Sequence, residues 1–205
     1  DIQAIEAGWL EAMQDLLSRK DVGIVGATLL YPPKDPAVSD PNFTSRAPGA
    51  VSHDTCMIQH AGVMLNVPLA EHYQKCELYR DAYQQGASQN PAMPHLVTRT
   101  FSAVTAACML ARRDVFETLG GFDDTLAVGY QDVDLCLRAK DRGYKTLCSA
   151  EAVLFHHESV TRGLPDPDRT PPQPAQLDIT SIDEKDPHLA DSVTFSTRYH
   201  DLIGK

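Results

Sequence analysis

Two groups of polar side chains in the sequence have the composition and spacing of chemically active sites. The first is Gln131-Asp132-Val133-Asp134, which begins a segment of helical character. A carboxylate in the first turn of a helix is favoured by the positive end of the helix dipole, and a well-placed carboxylate can also act as a general base. Asp132 is therefore either a general base or an acid that only stabilises the helix start. For Asp134 we expect a structural role, with hydrogen bonds to nearby backbone.

The second group is Phe155-His156-His157-Glu158-Ser159, followed by Arg162-Gly163. Imidazole is a common metal ligand, but a pair of histidines at the end of a strand is also typical of a polar surface. Side chains of adjacent residues in an extended segment point to opposite faces. We therefore expect one of the two histidines, and not both, to face a given site.

The elements that would position these groups follow from the pattern of apolar residues. Apolar positions 9, 10, 13, 16 and 17 share one face of a helix, whereas short runs rich in Val and Ile indicate buried strands. The predicted helices cover 8–19, 114–120 and 130–144. The predicted strands cover 21–31, 56–67 with an interruption at Gly62, 102–113 and the start of 145–159. Strands that alternate with helices predict an α/β layered fold.

Polar and proline-rich stretches make up the rest of the chain. Residues 32–55 are predicted to form a loop, and 68–95 are polar without a clear element. Six prolines occur within 164–188. Such a composition favours an extended chain, so we predict that residues 164–205 form an extended or partly disordered extension.

Composition narrows the classes of function. The 205 residues suffice for one domain, and 18 basic against 28 acidic residues give a net charge of −10. Proteins that coat nucleic acids need clustered Lys and Arg, so no nucleic acid is expected as a partner. No apolar stretch approaches the roughly 20 residues that span a bilayer. The five cysteines lack the spacing of a zinc site, which indicates a reducing, cytoplasmic setting. The chain opens without Met or a signal peptide, so we expect it to be part of a longer protein.

The segment 103–163 resembles the C-terminal half of family 2 glycosyltransferases, and in particular the rhamnosyltransferase-like members that build bacterial surface polysaccharides. Its most specific parts are GGFDD, YQDVDLCLRAKDRGY and HHESVTRG, which occur in the family's order and spacing. Upstream, DVGIVGATLLYP and IQHAGVML are similar to the same family. The resemblance covers residues 1–163 and implies a GT-A fold, an α/β mixed sheet flanked by helices. The N-terminal nucleotide-binding half of that fold is missing from the sequence, and 164–205 remains a Pro-rich extension.

The resemblance implies an inverting, metal-dependent transfer of a sugar from a nucleotide-diphosphate sugar to a glycan or lipid-linked acceptor. Asp132 matches the family's general base. The family's ligands for Mg²⁺ or Mn²⁺ are matched by His156, 24 residues after Asp132, and by Asp1, which falls where the last acid of the family's DxD-type motif would be. A single in-line displacement needs one base opposite the leaving group and one hard cation at the diphosphate, so these residues supply both parts.

Other positions match segments of the family that bind the substrates. Arg162 lies in a segment that approaches the donor diphosphate. Asp123 and Asp124 lie in the GGFDD loop, which borders the acceptor, and Gln131 is predicted to contact the acceptor as well. Gln131 stands where the family commonly has Glu, a difference that leaves the base itself intact.

Two other functions stay open. A metal-dependent hydrolase would use His156 and His157 with further ligands, but neither histidine takes part in an HxxxH or DxH pattern. A non-catalytic carbohydrate-binding or assembly module would need no base. Because the nucleotide-binding half is missing, we expect this chain alone to transfer no sugar. The complete enzyme is expected in the cytoplasm, and peripheral association with the inner face of the membrane stays open.

Overall fold

The computed structural model describes residues 2–5, 7–32, 56–65, 70–73, 96–157 and 187–202. Residues 158–186 and most of two predicted segments, the loop at 32–55 and the polar stretch at 68–95, lie outside these ranges. The strands are β1 (Ile2–Ala4), β2 (Val22–Leu30), β3 (Ile58–His60), β4 (Val63–Leu65), β5 (Ala70–His72), β6 (Arg99–Phe101), β7 (Met109–Ala111) and β8 (Lys145–His156). The helices are α1 (Trp9–Leu17), α2 (Arg113–Thr118), α3 (Gln131–Asp141) and α4 (Pro187–Arg198), and a 3-10 turn covers Ala106–Cys108.

A six-stranded mixed sheet forms the centre of the described structure. Its two long strands, β2 and β8, run parallel to each other, whereas β1, β3, β6 and β7 pair with them in antiparallel orientation. All nine residues of β2 are buried, as expected for a strand covered on both faces of a sheet. The buried strand predicted at 21–31 is therefore confirmed, and so is the α/β class with helices beside a mixed sheet.

Two separate apolar clusters hold the helices against the sheet. In one of them, Met13 of α1 packs with Val25 and Leu29 of β2. In the other, Leu135 of α3 and Phe195 of α4 join residues of the sheet. Burial of a side chain of this size stabilises a fold by about 1.5–3 kcal/mol. The three helices predicted from periodicity correspond to α1, α2 and α3.

The C-terminal helix corrects one prediction. The segment 164–205 is predicted to be extended or partly disordered, yet within it residues 187–202 form α4 and a following turn. Phe195 is fully buried and Tyr199 is 7% exposed, in the same apolar cluster as α3. Pro187 does not prevent this helix, because it stands at the first helical position, where a missing N–H and a fixed φ are tolerated.

Two shorter segments have different outcomes. The described part of the segment predicted at 56–67 contains two strands, β3 and β4, which are separated at Gly62, whose φ of 115° is in the region that favours glycine. In contrast, the continuous strand predicted at 102–113 is wrong, since a 3-10 turn precedes the three residues of β7. The Thr105 hydroxyl accepts the N–H of Ala107, and such local side-chain bonds compete with the pairing of a strand.

Candidate active site

The carboxyl ends of the two parallel strands lie at one edge of the sheet, which is where open α/β sheets bind ligands. β8 ends at His156. Near this end Leu29 of β2 pairs with Leu154 of β8 on one side and with His60 of β3 on the other. His60 and His156 therefore both lie at this edge.

A turn at residues 105–107 connects this edge to the start of α3. The N–H of Thr105 donates to Nε2 of His60 at 3.4 Å, and the N–H of Ala106 donates to Oδ2 of Asp132 at 2.8 Å. The N–H of Ala107 donates to the Thr105 hydroxyl at 3.3 Å and closes the turn. Asp132 and His60 are thus bound to neighbouring residues of one short turn.

Asp132 lies in the first turn of α3, and its side chain is partly exposed. Oδ2 accepts the N–H of Ala106, and Oδ1 accepts the N–H of Val133 at 2.9 Å. Each carboxylate oxygen can accept two hydrogen bonds, so both oxygens retain capacity to accept from a hydroxyl group. The bond to Val133 also satisfies one N–H of the helix start. The geometry accommodates both the general base and the helix-start acid.

His60 is 1% exposed, and its partners define its tautomer. Because Nε2 accepts the N–H of Thr105, Nδ1 carries the proton and donates to Nδ1 of His72 at 2.8 Å. Burial lowers the pKa of His60 well below its ordinary value of 6.5, and the neighbouring His72 and His156 lower it further. His60 is therefore neutral at physiological pH and holds the turn as a hydrogen-bond acceptor.

The adjacent residues His156 and His157 bind different partners, as predicted for an extended segment. Nδ1 of His156 bonds to Oε1 of Gln59 at 2.6 Å, and Nε2 of His157 bonds to Oε1 of Gln3 at 3.0 Å. An amide oxygen only accepts, so Nδ1 of His156 is the donor. Metal-binding histidines commonly donate one ring N–H to an oxygen in this way, and the other ring nitrogen, here Nε2, would then be the ligating atom.

Three hydrogen bonds and the peptide bonds between sequence neighbours connect Asp132 to His156 along this edge. In order, the connection passes through Ala106, Thr105, His60 and Gln59. His60 is also close enough to His156 for the charge of one ring to lower the pKa of the other. The structure therefore brings the predicted base and the predicted metal ligand to the same edge of the sheet, and their roles stay predictions.

His60 and Gln59 belong to this edge although they are not among the predicted site residues, and they lie within IQHAGVML, which is similar to the family. One signal is present in the sequence, since both are polar residues inside the predicted strand 56–67. Both are buried, 1% and 4% exposed, and buried polar side chains nearly always have hydrogen-bond partners. A polar pair within a short apolar strand is therefore a reason to search for a partner elsewhere in the chain.

Two of the predicted acceptor contacts, Asp123 and Gln131, are engaged within the loop that leads into α3. Asp123 accepts the N–H and the hydroxyl of Thr125 at 2.8 and 2.6 Å, and it pairs with Arg198 of α4 at 2.8 Å. These bonds, first those from Thr125 and then that from Arg198, lower the pKa of Asp123 to about 2. Gln131 donates its side-chain amide to the carbonyl of Leu126.

Asp124, the third predicted acceptor contact, is exposed. It is therefore better placed than Asp123 to meet a ligand from solvent. Asp1 and Arg162, the predicted second metal ligand and donor contact, lie outside the described residues. Across the ranges that the structure describes, no group of three or more His, Cys, Asp and Glu side chains is arranged to hold a metal ion.

Asp134 has the structural role that the sequence predicts, but its partners are side chains rather than backbone. The residue is completely buried. Its carboxylate accepts from Nε of Arg138 at 2.7 Å, from Nη1 of Arg198 at 2.6 Å and from the hydroxyl of Tyr199 at 2.7 Å. Burial and the bond to Asp134 raise the pKa of Tyr199, so its hydroxyl stays a donor. Asp134 therefore connects α3 to the C-terminal helix.

Comparison with known proteins finds relatives but no matching family model. The chain is 32% identical over 163 residues, 79% of its length, to the O-antigen biosynthesis protein RfbC of Myxococcus xanthus, of which it covers 11%. It is 31% identical over 166 residues, 80% of its length, to a Sinorhizobium fredii protein named uncharacterized protein y4gI, of which it covers 15%. It is 31% identical over 80 residues, 39% of its length, to the pre-mycofactocin glycosyltransferase of Mycobacterium tuberculosis, of which it covers 16%.

The chain therefore spans less than a fifth of the length of each of these relatives. A further property concerns membranes. None of the helices in the described ranges combines the length and the apolar composition of a membrane-spanning helix.

Proposed function

We propose that this chain is the acceptor-side part of an inverting, metal-dependent glycosyltransferase of the GT-A fold, family 2. The reaction moves a sugar from a nucleotide-diphosphate sugar to a glycan or lipid-linked acceptor of a bacterial surface polysaccharide. Two relatives support this, since one is named for O-antigen biosynthesis and another is named a glycosyltransferase. The observation that carries the proposal is the position of Asp132, at a helix start and in contact with the turn beside the carboxyl ends of β2 and β8.

In this proposal Asp132 is the general base. The N–H groups of Ala106 and Val133 hold its two oxygens at 2.8 and 2.9 Å and orient the carboxylate without removing its charge. The acceptor hydroxyl gives its proton to Asp132 while its oxygen bonds to the anomeric carbon of the donor. The bond from that carbon to the diphosphate oxygen breaks, and the electron pair leaves with the nucleoside diphosphate. One carboxylate suffices, because the diphosphate leaves as a stabilised anion and needs no general acid, whereas glycosidases use a second carboxyl group.

A divalent cation, Mg²⁺ or Mn²⁺, would neutralise the charge of the departing diphosphate. His156 would hold it through Nε2, because Nδ1 donates to Gln59. Asp1 is proposed as a carboxylate ligand, and Arg162 as a contact to the diphosphate. His60 fits beside such a site, since burial keeps it neutral and it adds no positive charge next to the cation.

The loop before α3 is proposed to meet the acceptor through Asp123, Asp124 and Gln131. Of these residues Asp124 is the exposed one. We place the reaction in the cytoplasm, in keeping with the four described cysteines, which are free thiols. Peripheral association with the inner face of the membrane would bring the enzyme to a lipid-linked acceptor.

The experiment that tests the proposal uses the complete natural protein and measures binding of UDP, GDP and dTDP, then transfer from the corresponding sugar donors. We expect one nucleotide to bind in the presence of Mn²⁺ or Mg²⁺ and to be released by EDTA. His156→Ala should weaken this binding about 10–100-fold, and excess Mn²⁺ should partly restore it.

His157→Ala is the matched control, because the ring of His157 bonds to Gln3 instead of Gln59. Its nucleotide affinity should stay within about twofold of the wild type, well inside the range expected for loss of a metal ligand. Binding of a glycan without any nucleotide binding or transfer by the wild type would instead identify a non-catalytic carbohydrate-binding module. Equal losses of nucleotide affinity in the two variants would mean that His156 is not a metal ligand.

A further inference from the structure

The C-terminal helix α4 binds the loop that leads into Asp132. We propose that α4 positions this loop, residues 122–130, for catalysis, and that Asp191 is its central positioning residue. The proposal rests on the proposed function, because it takes Asp132 as the base. It assigns a role in the reaction to a segment that the motifs of the sequence do not include.

Asp191 binds three successive main-chain N–H groups of the loop. Its carboxylate accepts from the N–H of Ala127 at 2.9 Å, of Val128 at 2.6 Å and of Gly129 at 2.7 Å. Consecutive N–H groups that converge in this way form a concave site for an anion, and bonds to an ionised acceptor are stronger than neutral ones. Because Asp191 is 2% exposed, water competes little for these bonds. The carboxylate therefore fixes the backbone up to the residue before the N-cap of α3.

A second contact of α4 holds the N-cap itself. Tyr130 precedes the first residue of α3 and has a φ of 63°, a conformation that costs energy for a residue other than glycine. Its ring stacks on Phe195 of α4, with centroids 4.7 Å apart and planes 17° apart. Phe195 lies one helical turn after Asp191, so both residues are on the same face of α4. Asp132 follows Tyr130 by two residues.

Arg198 extends the same face by almost one further turn. Its guanidinium bonds to Asp123 at the start of the loop at 2.8 Å and to Asp134 of α3 at 2.6 Å. Asp191, Phe195 and Arg198 thus bind the loop in its middle, at its end and at its beginning. The residues that make these contacts are more than 60 positions apart in sequence, and the bond from Ala127 to Asp191, for example, spans 64 positions.

The outer side of the loop remains accessible while α4 binds its inner side. Ala127 is exposed, and Val128 and Gly129 are partly exposed. If the loop contacts an acceptor, α4 fixes the acceptor's position relative to Asp132. Without Asp191 the loop and the first turn of α3 can shift together, and a misplacement of about 1 Å can reduce a reaction rate about 10²-fold. Donor binding should be unaffected, because the proposal assigns it to His156, Asp1 and Arg162 and not to this loop.

The test compares Asp191→Ala and Asp191→Asn in the complete natural protein. Asp191→Ala should lower kcat about 10–10²-fold while the Kd of the nucleotide that the wild type binds with Mn²⁺ changes less than about twofold. Asp191→Asn should lose less, because its amide oxygen can still accept two of the three N–H groups. Asp201→Asn, an exposed change in the same segment, is the control and should keep the wild-type kcat.

Hydrogen exchange gives a readout that does not depend on activity. The amides of Ala127, Val128 and Gly129 should exchange faster in both Asp191 variants, whereas those of β2 should be unchanged. A wild-type kcat in Asp191→Ala, despite faster exchange of the loop amides, would overturn the proposal. Faster exchange in β2 of the milder Asp191→Asn variant would also overturn it, since Asp191 would then support the whole domain. A wild type that transfers no sugar counts against the proposed function instead, and the exchange data still decide whether Asp191 holds the loop.

Discussion

Asp132 and Asp134 lie two residues apart in α3, yet their surroundings have little in common. Asp132 is partly exposed and is bonded to the main-chain N–H groups of Ala106 and Val133. Asp134 is fully buried, and its carboxylate accepts from three side chains, those of Arg138 in α3, Arg198 in α4 and Tyr199 in the turn after α4. Because an α-helix turns about 100° per residue, two side chains at this spacing point in nearly opposite directions.

The two acids differ in charge compensation although they share one motif, and this difference is what would separate the proposed base, Asp132, from the structural Asp134. Arg138 and Arg198 supply two positive charges, and Asp134 and Asp123 balance them. A proton from a substrate could not reach Asp134, since its side chain is 0% exposed. Asp132 is oriented by N–H dipoles and keeps access to the edge of the sheet. We therefore predict that replacing Asp132 lowers turnover and that replacing Asp134 lowers stability.

The largest effect is expected for Asp132→Asn in the complete natural protein. Asn keeps the size of the side chain and can still accept the Ala106 N–H, but it cannot take the acceptor's proton. We expect kcat to fall about 10²–10⁴-fold, the usual cost of losing a general base, with little change in thermal unfolding or nucleotide affinity. Steady-state kinetics with a donor and acceptor, together with a melting curve, would measure both properties.

Asp141→Asn is a control on the same helix, because Asp141 is an exposed residue at the end of α3. It should leave kcat and stability near the wild type. If Asp132→Asn retained most of its turnover, Asp132 would be a structural acid of the helix start. Asp132 and Asp134 would then not differ in function.

A smaller effect, on stability, is expected for Asp134→Asn. Removal of one partner from a buried ion pair typically costs about 3–5 kcal/mol. Arg138 and Arg198 are 25% and 33% exposed, so water can partly solvate the guanidinium groups that lose their partner. We therefore expect the free energy of unfolding to fall by about 3 kcal/mol, at the lower end of that range. Urea denaturation of the purified chain would measure it.

The matched control for this change is Asp114→Asn. Asp114 pairs with Arg112 at 2.6 Å, but its side chain is 62% exposed. Exposed ion pairs contribute little, so this variant should be much closer to the wild type than Asp134→Asn. Equal shifts of the two denaturation midpoints would mean that the buried cluster contributes no more than a surface pair.

The extent to which sequence predicts this molecule depends on how far apart the interacting residues lie. α1, β2 and α3 follow from local patterns of apolar residues, and all three are confirmed. The turn at 105–107 was not predictable in this way, because Val104 and Thr105 favour strands, and the structure instead bonds Thr105 to His60, 45 positions away. α4 is similar, since the proline-rich stretch before it favours an extended chain, whereas the helix itself is held by contacts with the distant loop before α3.

Sequence distance also determines which residues of the candidate site could be predicted. Asp132 and His156 are identifiable because each belongs to a short motif, and the structure places both at one edge of the sheet. His60 and Asp191 are not identifiable from their neighbours, since their partners are distant in sequence and only folding brings them together. Motifs thus indicate the groups that could react, and long-range contacts determine how those groups are held.

The smallest expected effect concerns the second pair of acids, Asp123 and Asp124, which repeats the contrast within the loop. Thr125 and Arg198 lower the pKa of Asp123 from 3.8 to about 2, whereas Asp124 is exposed. A carboxyl group whose pKa is depressed in the folded state adds stability that is fully present above its unfolded pKa and is lost as the pH falls through the folded one. Asp123→Asn should therefore be less stable than the wild type at neutral pH, and the difference should shrink between about pH 4 and pH 2.

Urea denaturation at a series of pH values measures this difference in stability, and Asp124→Asn controls for the loss of one negative charge. A difference that stayed constant down to about pH 2 would mean that Arg198 and Thr125 do not hold the ionised form of Asp123, and the distinction between a held and an exposed acid in the loop would fail.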